Sequence, residues 1–151
     1  MGPKTKEDLK GFIMPISWDS VNVGDALPEL VKNPGVTQLV KYAAGGGDFN
    51  PLHHDFAFPQ SKMIGSIIVH GRYKYASLGE LVSNWLEHQG RIKNIACQYR
   101  GMDLPGSEMT LGGTVLRKWE EGGEKLVELE LYVNNAKGKN TTPGTALIRF
   151  N

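Results

Sequence analysis

The sequence predicts an α+β fold in which one long helix is followed by a run of antiparallel strands. Three observations carry this. Across Gly71–Leu86, the residues Tyr75, Leu78, Leu81, Val82, Trp85 and Leu86 recur at helical spacing and describe one apolar face. After Gly90 the period changes to two: Ile95, Cys97 and Tyr99 alternate, and Val127, Leu129, Leu131 and Val133 alternate with charged residues such as Glu128 and Glu130. Glu120-Glu121-Gly122-Gly123 and the stretch 134–140 then read as hairpin connections. A helix followed by hairpin-linked strands packs on one face of an antiparallel sheet.

In chain order, residues 1–14 are polar and then briefly apolar at Phe12, Ile13 and Met14. They are expected to form a short helix or a loose arm, within an N-terminal arm of residues 1–19. Residues 20–151 form a single domain. Ser20–Leu27 alternates and ends at Pro28, which predicts a first strand. Gly35–Ala44 has the β-branched and aromatic content of a second extended segment. Asp55–Met63 is read as a short helical turn interrupted by Pro59. Ser66–Val69 is apolar and delivers the chain to His70-Gly71, where the long helix opens and runs until Gly90 stops it. Met109–Trp119 and Thr145–Phe150 supply further strands.

Composition excludes several function classes. The 151 residues suit one domain with a real core. Formal net charge is +1, from 17 basic and 16 acidic residues, with no dense Lys/Arg block, so no nucleic-acid partner is expected. No apolar run nears the roughly twenty residues of a membrane helix, and the N-terminus lacks the apolar stretch of a secretory signal. A single cysteine, Cys97, excludes an internal disulfide framework. A cytoplasmic, reducing location follows as the expectation.

The stretch Tyr42–Gly71 carries the candidate chemistry. Asp48-Phe49-Asn50-Pro51-Leu52-His53 places an acid and an imidazole five residues apart across a turn. Gly45, Gly46 and Gly47 precede it, and Asn50-Pro51 signals the turn. One carboxylate and one histidine on a tight loop suit general acid–base catalysis. His70-Gly71 opens a helix whose first N–H groups are free to meet a developing negative charge. An arbitrary Asp and His at this spacing would be a turn cap and a surface residue; the glycines, Asn50-Pro51 and His70-Gly71 favour catalysis. His54 is read as a loop residue, Asp55 as structural, His70 as a hydrogen-bonded partner at the helix start, and His88 as exposed. Cys97 is read as a buried strand residue, and Trp18, Trp85 and Trp119 as core or interface. Arg100 and Gly101 support the sheet or line the ligand channel. Gly45-Gly46-Gly47 is not followed by Lys-Ser/Thr, and no metal-ligand spacing surrounds His53, His54 and Asp55, so neither a phosphate loop nor a metal is expected.

GGGDFNPLHHD, followed by IIVHG and an apolar helix, resembles the MaoC-like hydratases and dehydratases of the hotdog fold, which include (R)-specific enoyl-CoA hydratases and 3-hydroxyacyl-thioester dehydratases. The likeness continues through CQYRGMDLPGSEMTLGGTV and covers nearly everything from Val21 to Phe150. It implies a five- to six-stranded antiparallel sheet wrapped round the central helix, with dimeric pairing and a thioester tunnel near the interface. The implied acid–base pair is Asp48 and His53, and the implied carbonyl-binding N–H is that of Gly71. Asn50 and Pro51 would shape the loop. The implied reaction is reversible hydration of a 2-enoyl thioester carried on CoA or an acyl carrier protein, without a further cofactor. The implied assembly is a homodimer or higher homo-oligomer, with a heterodimer of related subunits as the alternative.

The chain departs from the family pattern where the helix continues HGRYKYASLG. Arg72 and Lys74 oppose the helix dipole and call for solvent exposure or a partner carboxylate. The sharper hypothesis is that Arg72 meets a substrate carboxylate or a carrier phosphate. Gly79 stands where some hydratases carry a serine. Two rival functions remain. A hotdog thioesterase would want a helix carboxylate, for which Glu80 is the candidate, although the matching position is Gly79. One subunit of a heteromeric hydratase is the other; a chain with both Asp48 and His53 would be its catalytic half.

Overall fold

The computed structural model describes residues 15–151; residues 1–14 of the arm expected over residues 1–19 lie outside them. Five antiparallel strands form one sheet, and the central helix lies against it. The strands are β1 (Leu30–Lys32), β2 (Gly90–Cys97), β3 (Met109–Glu121), β4 (Glu124–Asn135) and β5 (Gly144–Phe150), in the order β1-β3-β4-β5-β2. Alternation decides which face is buried. Val127, Leu129, Leu131 and Val133 of β4 are fully buried, and they pair with Lys118, Val115, Gly113 and Leu111 of β3.

The helices are α1 (Val36–Gly46), α2 (Pro59–Ile64) and α3 (Gly71–Leu86). The bounds of α3 agree with the sequence reading, and Leu78, Leu81, Val82 and Leu86 are buried against the sheet. The apolar face is rotated from the expected one. Tyr75 is 38% exposed, while Tyr73, Lys74 and Ser77 are buried. Glu87 and His88, both at positive φ, turn the chain out of the helix before Gly90, which begins β2 instead of ending α3.

Two early assignments are corrected. Gly35–Ala44 is not extended: Val36–Gly46 is helix α1. Its Leu39 and Ala43, four residues apart, are both buried, and this one-sided burial outweighs the modest strand preference of its β-branched residues. Ser20–Leu27 is not a regular strand. It makes one isolated bridge, Ala26 to Thr114, because an Asn22–Asp25 turn with Gly24 at φ +93° breaks its extension. The first strand follows Pro28, at Leu30. The helical turn expected near residues 55–63 is α2, and Pro59 opens it, standing in its first turn where no N–H is required. Asp55 is structural, as expected: its carboxylate accepts the Ala57 N–H at 2.7 Å.

Candidate active site

Helix α1 ends by releasing the loop that carries Asp48. Of the three preceding glycines, Gly45 and Gly46 complete the helix, and only Gly47 adopts the left-handed conformation, at φ +70°. Asn50 then accepts the Leu52 N–H on its side-chain oxygen at 3.0 Å, and Pro51 starts a 3-10 turn that ends at His53. This turn points the His53 ring inward, where it is buried.

His53 is held by its second nitrogen. Its Nδ1 lies 2.8 Å from the Ile68 carbonyl oxygen, which can only accept, so Nδ1 carries the proton and Nε2 is left with its lone pair. That Nε2 lies 3.9 Å from Asp48 Oδ2, beyond direct hydrogen-bond distance. The Asp48 side chain is 30% exposed, so the pair opens toward solvent on one side.

His70 closes the other side. It is fully buried, its ring stacks on His53 with centroids 3.9 Å apart, and its Nε2–H donates to the Asp48 carbonyl at 3.2 Å. Burial pushes the His70 imidazole below its ordinary value, and a proton gained by neighbouring His53 acts in the same direction. His70 is therefore the hydrogen-bonded partner that the sequence suggested, and it ties the Asp48 loop to the start of α3. Tyr42 adds an edge-on ring at 5.1 Å from His70.

Gly71 follows at the first position of α3. Its N–H has no partner among the described residues. A Cβ at Gly71 would lie 3.0 Å from the Tyr99 ring, so any larger residue requires that ring to shift by a few tenths of an ångström. Gly71 and Tyr99 line an open groove of about 700 Å³ together with Lys74, Arg100 and Met102. The structure thus brings Asp48, His53, His70 and Gly71 to one place, with Asn50 and Pro51 shaping the loop. Arg72 is not part of that cluster: it is exposed and lines a separate groove beside Tyr42, Tyr75 and Tyr99.

One ligand atom each of Asp48, His53 and His70 fall within 4.8 Å of one another, a grouping that sequence spacing concealed because His70 lies 22 residues from Asp48. Sequence reading also missed Tyr99, Ile68 and Asp103. Asp103 is a buried carboxylate inside the RGMDLPG stretch, and its apolar neighbours Met102 and Leu104 were the only signal. Cys97 is half-buried, and burial pushes its thiol up, in keeping with a packing role. His88 is exposed, and Trp18 and Trp85 pack edge-on against Phe150. Glu80, the thioesterase candidate, pairs with Lys32 at 2.7 Å and is 45% exposed.

A family model described as a MaoC like domain matches residues 20–136, and the chain belongs to that family, the MaoC-like dehydratases, a class of hydro-lyases. Over 91 residues it is 30% identical to the fatty acid synthase subunit beta of Saccharomyces cerevisiae, a match spanning 59% of this chain and 4% of that far longer polypeptide. In fold it is similar to the (R)-hydratase from A. caviae involved in PHA biosynthesis. That likeness has a TM-score of 0.80 and 24% identity, and it covers 87% of this chain and 98% of the other. The ChsH1-ChsH2 complex from Mycobacterium tuberculosis shares the fold at a TM-score of 0.74 and 23% identity, covering 86% and 98% of the two chains. The antiparallel sheet curled on a central helix is the hotdog fold. No helix among the described residues is long and apolar enough to cross a membrane.

Proposed function

We propose that this chain reversibly hydrates 2-enoyl thioesters, or dehydrates 3-hydroxyacyl thioesters, through Asp48 and His53. The observation that carries the reading is the His53 tautomer: its Nδ1 is committed to Ile68, which leaves a basic Nε2 facing Asp48 Oδ2 across 3.9 Å. That gap suits one water hydrogen-bonded to both groups. Nε2 takes a proton from this water as its oxygen bonds to C3 of the enoyl group. The same proton then goes to C2, so addition of one water is balanced and the imidazole is regenerated. Asp48 orients the water and stabilises the transient imidazolium. The charge that develops on the thioester oxygen is met by the Gly71 N–H, at the positive end of the α3 dipole. His70, kept neutral by burial, holds the loop without competing for the proton.

The substrate is carried on CoA or an acyl carrier protein, and the chemistry needs only side chains, water and the thioester. The working assembly is a dimer of this chain or of this chain with a related subunit, in a cytoplasmic location. Exposed Phe49 and Phe56, at 63% and 54%, flank the catalytic loop and favour a covering partner.

The test is the loss of enoyl-thioester absorbance with crotonyl-CoA and longer 2-enoyl-CoAs, run beside a free-thiol assay. Hydration removes the absorbance and leaves the thioester intact. Thiol release without hydration would replace this reading with the thioesterase one, against which the Lys32–Glu80 pairing already argues.

A further inference from the structure

The proposed chemistry leaves one ionic cluster unused. Lys74 and Asp103 are only 2% and 3% exposed. Lys74 Nζ donates to Asp103 Oδ2 at 2.8 Å and to the Gly101 carbonyl at 2.9 Å, and Thr141 Oγ1 donates to the same carboxylate oxygen at 2.7 Å. Stability alone accounts poorly for such a cluster. Desolvating two charges offsets most of their attraction, and an apolar pair of similar volume is often as stable or more so. The cation also stands in the first turn of α3, where the helix dipole disfavours it unless a carboxylate compensates.

Its location is more informative than its energy. The cluster joins three segments distant in sequence: the first turn of α3, the connection between β2 and β3, and the connection between β4 and β5. From there a hydrogen bond runs to the segment that borders the candidate catalytic groups. The Asp103 carbonyl accepts the Val69 N–H at 2.8 Å, two residues before Gly71. The adjacent Ile68 donates its N–H to the Leu52 carbonyl at 3.1 Å, and its own carbonyl accepts His53 Nδ1. Ile68-Val69 is therefore held by the catalytic loop on one side and by Asp103 on the other.

We infer that Lys74, Asp103 and Thr141 are positioning residues that fix Ile68-Val69, and through it the tautomer of His53 and the placement of the Gly71 N–H. The inference rests on the hydration reading for its effect on rate. Its effect on the Val69 hydrogen bond stands apart from that reading. Removing one charge alone would leave the other buried and unpaired, so the informative variant removes both, Lys74→Met with Asp103→Leu.

This double variant is expected to keep the fold. Its kcat on 2-enoyl-CoA should fall at least about tenfold while KM stays within about threefold, because misplacement of catalytic groups weakens chemistry more than binding. Its Val69 amide should exchange with solvent at least about tenfold faster than in the wild type. A folded double variant with wild-type kcat and wild-type Val69 exchange overturns the inference. Should that variant fail to fold, Thr141→Val removes one carboxylate contact at nearly constant volume. A kcat loss of about threefold with faster Val69 exchange supports the lock, and no change in either overturns it. If the wild type hydrates none of the thioesters, the hydration reading fails by itself. Val69 exchange in whichever variant folds then decides the lock: faster exchange supports it, unchanged exchange overturns it.

Discussion

The two ends of helix α3 are built on opposite principles. At its N-terminal end most of the buried groups are polar: His70, Lys74 and Ser77 stand beside the buried Tyr73 ring, with His53 and Asp103 nearby. At its C-terminal end they are Leu78, Leu81, Val82 and Leu86, with Trp85 edge-on to Phe150. The apolar end gains stability from burial without needing particular atoms at particular places. The polar end contributes little net stability, yet each of its hydrogen bonds fixes a direction. One helix therefore separates the residues that hold the fold from those that border the candidate site.

The largest effect that would sharpen this contrast falls on the polar end. Asp48→Asn and His53→Ala should each lower kcat by about 10²–10⁴-fold, the range of general acid–base catalysis, while thermal unfolding changes little for Asp48→Asn, whose side chain is partly exposed. Equal loss of stability and activity in both variants would erase the distinction between the two ends. The opposite signature belongs to Leu78→Ala, which should cost about 2–5 kcal/mol of unfolding free energy and leave kcat per folded molecule near wild type. Denaturant titration with matched kinetics reads both quantities.

Gly71→Ala comes next. The added Cβ would meet the Tyr99 ring at 3.0 Å, so kcat should drop by about tenfold, and Tyr99→Ala in the same chain should restore part of it. No restoration would mean that the alanine harms something other than the fit beneath Tyr99.

A pH series probes the polar end more gently. Burial lowers the His70 value in the folded state, so near the ordinary value of 6.5 the unfolded chain binds more protons than the folded one. The stability that neutral His70 provides is complete above about pH 6.5 and is lost as pH falls through the lowered folded value. Unfolding free energy measured from pH 8 to pH 5 should decline, and His70→Asn should flatten the decline.

The smallest effect is expected from Arg72→Met. Arg72 is exposed and has no ion pair among the described residues, so the relative rates on acidic and neutral acyl thioesters should hardly change. A selective loss on acidic substrates would instead bring Arg72 into substrate recognition, as the sharper reading of the sequence suggested.

Much of this was legible in the chain itself. The helical period over Gly71–Leu86 and the alternation along β2 and β4 are statements about which residues leave water, and they were enough to fix those element types. Asp48, Asn50-Pro51, His53 and His70-Gly71 stood out as a candidate acid–base site because turn chemistry and titratable groups coincided over a short stretch. Tertiary structure decided the rest. It made Val36–Gly46 a helix, since burial of Leu39 and Ala43 on one side outweighs weak local preferences. It turned Tyr75 outward and Lys74 inward, because a carboxylate 29 residues away could receive the lysine. It assigned the proton on His53 through a carbonyl 15 residues downstream. Periodicity reports burial, which local order can display, whereas hydrogen-bond partners are set by where distant segments meet.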